Sequence, residues 1–135
     1  MTPLEGETMS GKHPLRHIET LVLIGIGGFA GSNLRYFVDS FLSGIQGTLF
    51  VNTLGSFLLG FIIYEATYTN QFTAEGRMIL GTGFLASFTT YSTFILETSQ
   101  TSKWALLNII ASYVLGFTGV IIGRELARHL KRDEI

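Results

Sequence analysis

A cluster of side-chain hydroxyl groups occupies residues 89–94, where five of the six residues are Thr, Ser or Tyr. Thr and Ser compete with the backbone for hydrogen bonds, and they are poor residues for a helix interior. The cluster therefore predicts a break in a helix. Carbonyl groups freed by a break can coordinate a hard cation such as Na⁺, whereas in an unbroken helix the hydroxyls would bond back to its own carbonyls.

Asn52 is the second polar feature, and it lies on one helical stripe with Thr48, Ser56 and Gly60. The segment around it, 40–64, contains no charged residue. An amide inside such an apolar segment must face a partner helix or a water-filled cavity. An interhelical hydrogen bond and a wet cavity both fit the pattern.

Ionisable residues end two of the apolar segments, since Arg35 follows the run 20–34 and Glu97 follows the run 78–96. An ionisable residue close to a membrane span marks a functional site by default. The alternative is a long side chain that reaches to the membrane surface.

The elements that must position these residues are predicted from the distribution of charge. All 19 charged residues of the 135-residue chain lie outside four runs of 15 to 25 residues, namely 20–34, 40–64, 78–96 and 104–123. A helix needs about 20 mostly apolar residues to cross a bilayer. The sequence therefore predicts an all-α membrane protein with four transmembrane helices, at about 18–38, 48–68, 77–97 and 103–124.

This segregation of charge excludes a soluble enzyme and a nucleic-acid binder, and the lack of cysteine excludes a disulfide-stapled module and any Cys-based metal site. We expect one membrane unit over residues 18–124. We interpret residues 1–17 as a flexible N-terminal tail and residues 125–135 as a charged C-terminal tail.

The basic residues predict an orientation. Four spans put both tails and the middle loop on one side of the membrane, and that side holds seven of the nine Lys and Arg residues. Only Arg35 and Lys103 lie on the other side. The positive-inside rule then places both termini in the cytoplasm.

Small residues predict where the helices pack closely. Gly27 and Gly31 share a stripe of the first helix, and the fourth helix has a stripe of Ser112, Gly116, Gly119 and Gly123. Small residues allow helix backbones to approach each other in lipid. We interpret these stripes as packing surfaces.

Three motifs together resemble the Fluc (CrcB) fluoride-channel family. They are Gly-Ser-Asn-Leu-Arg-Tyr at 31–36, Gly-Thr-Leu-Phe-Val-Asn-Thr-Leu-Gly-Ser-Phe at 47–57, and Gly-Phe-Leu-Ala-Ser-Phe-Thr-Thr-Tyr-Ser-Thr-Phe at 83–94, which Glu97 follows. The resemblance covers all four spans in order, over about residues 20–124. It implies an antiparallel dimer of four-helix subunits with two fluoride pores along the interface. It also implies a third helix that breaks at the dimer centre, where the backbone carbonyls of Ala86 and Thr89 would hold a structural Na⁺.

The resemblance also assigns a fluoride pathway to named residues. The family's pore asparagine corresponds to Asn52 and its two pore phenylalanines to Tyr91 and Phe94. The remaining assignments are a polar track of Ser92, Thr93 and Tyr113, the acidic residue Glu97 and the vestibule arginine Arg35. These roles are chemically coherent, because amide and hydroxyl groups donate hydrogen bonds and an aromatic ring has a positive edge.

Two departures from the family pattern bear on assembly. The family usually has Gly-Gly where this chain has Ala86-Ser87, and Phe where it has Tyr91. Some family members pair two different subunits, and a homodimer that inserts in both orientations needs nearly balanced charges. The excess of basic residues on the tail side therefore favours a heterodimer with an oppositely oriented paralogue over a homodimer. Such a channel would lie in the plasma membrane of a prokaryote and export fluoride passively.

Three other functions remain as alternatives. A non-conducting or regulatory partner subunit fits the same departures. A small four-span multidrug transporter would need a carboxylate inside the first helix, and residues 20–34 have none. An intramembrane enzyme would need a catalytic His or Asp at membrane depth, and no charge-free run contains either residue.

Overall fold

The computed structural model describes residues 14–69 and 72–132, and these ranges are helical apart from short connections. Within these two ranges six α-helices follow one another, with π-helical turns at Glu65–Thr69 and Met78–Leu85. The α-helices are α1 (Pro14–Phe41), α2 (Ile45–Tyr64), α3 (Ala74–Arg77), α4 (Ala86–Phe88), α5 (Tyr91–Gln100) and α6 (Ala105–Arg132).

Four continuous segments are long and apolar enough to cross a membrane, namely His17–Phe41, Ile45–Tyr68, Ala74–Gln100 and Ala105–Lys131. The predicted all-α fold with four spans is therefore confirmed. The third span, Ala74–Gln100, contains α3, the π-helical segment Met78–Leu85, α4 and α5.

The predicted tails lie partly outside the described residues. Of the predicted N-terminal tail, residues 1–13 lie outside them, and α1 begins at Pro14. Proline is well suited to the first turn of a helix because its missing N–H group has no partner there anyway. Of the predicted C-terminal tail, residues 133–135 lie outside the described residues, and α6 continues to Arg132. No Gly or Pro interrupts residues 124–132, which are mostly good helix formers.

The bundle is built from two closely packed helix pairs, and α1 packs against the third span in the first of them. A Cβ atom added to Gly27 would lie 2.6 Å from the carbonyl oxygen of Ile79, and one added to Gly31 would overlap the carbonyl oxygen of Phe84. The backbones can approach this closely only because these positions have no side chain. The predicted packing role of Gly27 and Gly31 is confirmed.

The second pair consists of α2 and α6. A Cβ atom on Gly60 would overlap the carbonyl oxygen of Val120, and one on Gly123 would overlap that of Phe57. The small residues of α6 therefore hold its backbone against α2, as their stripe predicts.

Large apolar side chains mostly cover the outside of the bundle. Among the residues that the structure describes, Val51 and Phe88 are the largest fully buried side chains, whereas Phe29 is 73% exposed and Phe117 is 69% exposed. A surface of this kind is suited to lipid or to a second membrane subunit rather than to water.

The third span leaves the helical conformation at two residues of the hydroxyl cluster. Thr89 has φ −79° and ψ 160°, and Thr90 has φ −145° and ψ 122°, so both residues are extended. Helical structure stops at Phe88 and resumes at Tyr91. This interruption exposes backbone groups that other parts of the chain must satisfy.

Candidate functional site

Asn52 of α2 holds the interruption through two hydrogen bonds to the backbone of Thr90. Its Nδ2 donates to the Thr90 carbonyl oxygen at 2.9 Å, and its Oδ1 accepts from the Thr90 N–H at 2.8 Å. Thr90 is only 8% exposed, so its backbone N–H needs such a partner. A primary amide has two N–H groups, and one of them remains available after the bond to Thr90.

Thr90 also caps the helix that follows it. Its Oγ1 accepts a hydrogen bond from the Thr93 N–H at 3.2 Å and donates to the Thr93 Oγ1 at 2.9 Å. The Thr90 and Ser92 hydroxyls lie 3.4 Å apart. Thr89 differs, because its hydroxyl bonds back to the Leu85 carbonyl at 2.9 Å. The hydroxyl cluster thus provides hydrogen bonds on both sides of the interruption. Thr89 bonds to the helix before it, and Thr90 is the N-cap of the helix after it, a position that suits a threonine side chain.

Four of the predicted pathway residues line one groove of about 330 Å³ between α2, α5 and α6. We call it the aromatic groove. Phe94 is buried, with 7% exposure, whereas Tyr91 is 71% exposed. Their ring centroids lie 5.9 Å apart with the planes inclined at 38°. The groove is lined by Asn52, Ser56, Tyr91, Phe94, Ser112, Tyr113, Gly116, Phe117 and Val120.

A second groove, of about 430 Å³, adjoins the interruption and is also lined by Asn52. We call it the break groove. It contains both residues predicted to hold a cation, Ala86 and Thr89, and it shares Asn52, Ser56 and Tyr91 with the aromatic groove. The side chain of Asn52 therefore lies where the two grooves meet.

The other predicted pathway residues line neither groove. Ser92 is exposed, and Thr93 bonds to Thr90. Glu97 is half-buried, and its Oε2 is buried without a hydrogen-bond partner among the described residues. Arg35 reaches the interruption from α1, where its Nη1 donates to the Thr89 carbonyl oxygen at 3.3 Å.

Backbone oxygens are the groups that could hold a metal here, because residues 14–69 and 72–132 contain no cluster of three or more His, Asp or Glu suited to a metal ion. In a continuous helix the Thr90 N–H would donate to the Ala86 carbonyl, but it donates to Asn52 instead. The Ala86 carbonyl therefore lacks the donor that a continuous helix would give it. The Thr89 carbonyl is less available to a metal, because the Arg35 guanidinium already occupies one of its acceptor positions.

The sequence-based assignment did not include several groove residues, among them Ser56, Ser112 and Gly116. Ser56 carried a signal, since it lies on the same stripe as Asn52. Ser112 and Gly116 lie on the small-residue stripe of α6, which we interpreted as packing alone. Nothing in that stripe indicates which end of it faces a groove rather than a helix.

Comparisons with known proteins find a family and relatives that match most of the chain. The family described as CrcB-like protein, Camphor Resistance (CrcB), matches residues 22–124. The chain is 54% identical over 120 residues to the fluoride-specific ion channel FluC 1 of Haloarcula marismortui, covering 89% of this chain and 94% of that protein. It is 42% identical to FluC 2 of Methanosarcina mazei, over 90% of this chain and 98% of that protein.

Methanosarcina acetivorans has two similar proteins, both named fluoride-specific ion channel and numbered FluC 1 and FluC 2. Its FluC 2 is 40% identical over 89% of this chain and 96% of that protein. Its FluC 1 is 39% identical over 82% of this chain and 92% of that protein. The family match covers all four spans, and the relatives match over nearly their whole length. This multi-pass membrane protein therefore belongs to the CrcB family.

Proposed function

We propose that this chain is a subunit of a fluoride-selective ion channel, and that fluoride passes along the aromatic groove. The single observation that carries the proposal is the name shared by its relatives, fluoride-specific ion channel, at identities up to 54% over most of the chain. Ion channels are not enzymes, which agrees with the expectation that this chain catalyses no reaction.

The chemistry of the groove supports this function. Fluoride is small and strongly hydrated, so a pathway must replace its water with hydrogen-bond donors. Asn52 retains one amide N–H beyond the one that bonds to Thr90, and the Ser56, Ser112 and Tyr113 hydroxyls line the same groove. The Phe94 ring can offer its positive edge to an anion. Weak contacts of this kind suit conduction, because an ion must also leave its site.

An antiparallel dimer would complete the pathway. Tyr91 is 71% exposed although it lies in the middle of a span, and a partner subunit would cover it. We favour a heterodimer with an oppositely oriented paralogue, since seven of the nine Lys and Arg residues lie on one side of the predicted topology. The two relatives in Methanosarcina acetivorans are a precedent for an organism with two such chains.

A structural Na⁺ at the dimer centre would bind backbone carbonyls of the interruption. The Ala86 carbonyl supports this assignment, because the Thr90 N–H that would otherwise bond to it donates to Asn52. The Thr89 carbonyl would have to be shared with Arg35, or released by it. When bound, the ion would supply positive charge that offsets repulsion between fluoride ions.

The proposed setting is the plasma membrane of a prokaryote, with both termini in the cytoplasm. Fluoride enters from acidic media as uncharged HF and ionises in the cytoplasm. The inside-negative membrane potential then drives the anion outwards, so a passive pathway is sufficient for export.

A second candidate function is a non-conducting partner that assembles with a channel subunit. Tyr91 favours it, because its hydroxyl adds bulk and a strong donor where the family has a plain ring. Both candidates are tested by fluoride-electrode efflux from liposomes that contain this chain alone, and then this chain with its paralogue.

We expect efflux when both chains are present, and we expect Phe94→Ile in this chain to abolish most of it. Efflux that is unaffected by Phe94→Ile would assign this chain the non-conducting role. An absence of fluoride efflux from both preparations would refute the proposed function.

A further inference from the structure

A third cavity lies far from the interruption, where α2 and its π-helical turn meet the end of α6. Its volume is about 200 Å³, and its walls include Tyr64, Thr67, Tyr68 and Arg124. Thr67 is fifteen residues beyond Asn52 along the same span, which corresponds to about 22 Å of helix. The cavity shares Val120 with the lining of the aromatic groove, and its lining contains none of the residues assigned to the fluoride pathway.

The position of the cavity corresponds to the membrane–water interface. Arg124 is the first charged residue after the charge-free run 104–123 of the fourth span. The Tyr64 and Tyr68 rings lie 4.8 Å apart, inclined at 35°, and Tyr68 is 62% exposed. Tyrosines with one apolar face and one polar end are enriched at the level of lipid headgroups.

The cavity has one basic side chain, Arg124, in its wall. Arg124 forms no ion pair with an acidic residue of the part of the chain that the structure describes. Lys131, two turns further along α6, donates from Nζ to the Tyr68 carbonyl oxygen at 3.1 Å and keeps two further N–H groups. Arg128 lies between them but differs, because its Nη1 pairs with Glu125 Oε2 at 3.4 Å.

We propose that this cavity binds the phosphate headgroup of an anionic phospholipid. Arg124 and Lys131 would provide the charge, and the tyrosine hydroxyls would provide hydrogen bonds to phosphate or glycerol oxygens. The walls beside them are apolar, and Ile63, which lines the cavity, is 53% exposed on the outside of the bundle. This surface suits the start of an acyl chain, which favours a lipid over a free anion.

The test measures which lipids stay with the protein. The full-length protein is placed in bilayers of equal parts phosphatidylglycerol and phosphatidylcholine, and retained lipids are counted by native mass spectrometry. We expect the wild type to be enriched in phosphatidylglycerol. Arg124→Gln should reduce the enrichment at least about fivefold, because it removes the charge-assisted hydrogen bonds that the Arg124 guanidinium would form with the phosphate.

Arg128→Gln is the matched control, since it removes the same charge from the same helix end outside the cavity. We expect it to keep the enrichment, and circular dichroism checks that both variants remain helical. Equal retention of both lipids by the wild type would overturn the proposal. Equal losses in the two variants would also overturn it, by showing diffuse attraction rather than a site. Displacement of phosphatidylglycerol by excess inorganic phosphate would identify a site for the free ion instead.

Discussion

Replacing Asn52 with alanine should destabilise the protein, because it removes both side-chain hydrogen bonds to the interruption at Thr90. Interhelical hydrogen bonds in membrane proteins contribute about 0.6 kcal/mol each on average. Loss of Oδ1 has a larger cost, since it leaves the N–H of buried Thr90 without a partner, at roughly 1–3 kcal/mol. We therefore expect a loss of about 1.5–3.5 kcal/mol in the free energy of unfolding.

The assay is denaturant unfolding in detergent micelles, followed by circular dichroism. Asn33→Ala is the matched control, because the exposed Asn33 amide donates only to the Phe29 carbonyl of its own helix, at 2.7 Å. We expect that control to change stability by less than about 0.5 kcal/mol. Asn52→Asp keeps an acceptor for the Thr90 N–H but loses the donor, so its loss should be intermediate. If Asn52→Ala unfolds at the same denaturant concentration as Asn33→Ala, then Asn52 does not hold the interruption.

Four further outcomes are expected. Phe94→Ile should abolish most fluoride efflux whereas Tyr91→Ile should change it little, and the reverse pattern in a fluoride-electrode assay would contradict the assignment of the pathway. Gly31→Ala should destabilise the protein by roughly 1–3 kcal/mol in thermal unfolding, because its Cβ would overlap the Phe84 carbonyl oxygen. Gly25→Ala should leave the stability unchanged, because Gly25 has open space around it. Equal losses of stability in the two variants would refute the packing argument. A C-terminal tag should report the cytoplasm in nearly all copies, and an even distribution between the two sides would count against a fixed orientation. Exchange of Na⁺ for a larger cation should weaken dimer assembly or transport, and unchanged assembly and transport would argue against the carbonyl site.

The four spans could be predicted from the sequence because a helix that crosses a membrane needs apolar residues along its whole length. The run 40–64, for example, contains no charged residue. The close approach of α1 to a neighbouring helix could be predicted as well, since Gly27 and Gly31 repeat at one helical turn, but the sequence did not indicate that this neighbour is the third span. These signals are local in the chain, so one sequence is enough to detect them.

The partners of the polar residues could not be predicted in the same way. Asn52 bonds to Thr90, 38 residues away, and Arg35 bonds to Thr89, 54 residues away. Such contacts depend on how each helix is rotated about its axis. The sequence shows which residues share one stripe of a helix, but it does not show which neighbour that stripe faces. For the same reason the sequence allowed either an interhelical hydrogen bond or a wet cavity for Asn52. In the structure the Asn52 side chain bonds to Thr90 of the third span, and it also lines two grooves.

The irregular backbone of the third span could be predicted only in part from its composition. The predicted helix 77–97 gives no sign of the π-helical segment Met78–Leu85. π-helical turns are rare in proteins, and the apolar composition of this segment does not distinguish them from α-helical turns. The extended pair Thr89 and Thr90 lies where hydroxyls accumulate, because those side chains can replace the helical hydrogen bonds that are lost.

The central claim is that the aromatic groove of this chain carries fluoride selectively, and one flux measurement tests it most directly. Liposomes that contain this chain with its paralogue are loaded with equal fluoride and chloride, and the efflux of both anions is followed with ion-selective electrodes. We expect rapid fluoride efflux with chloride retained, and we expect Phe94→Ile to remove most of the fluoride efflux. Equal efflux of the two anions, or fluoride efflux that persists in Phe94→Ile, would contradict the claim.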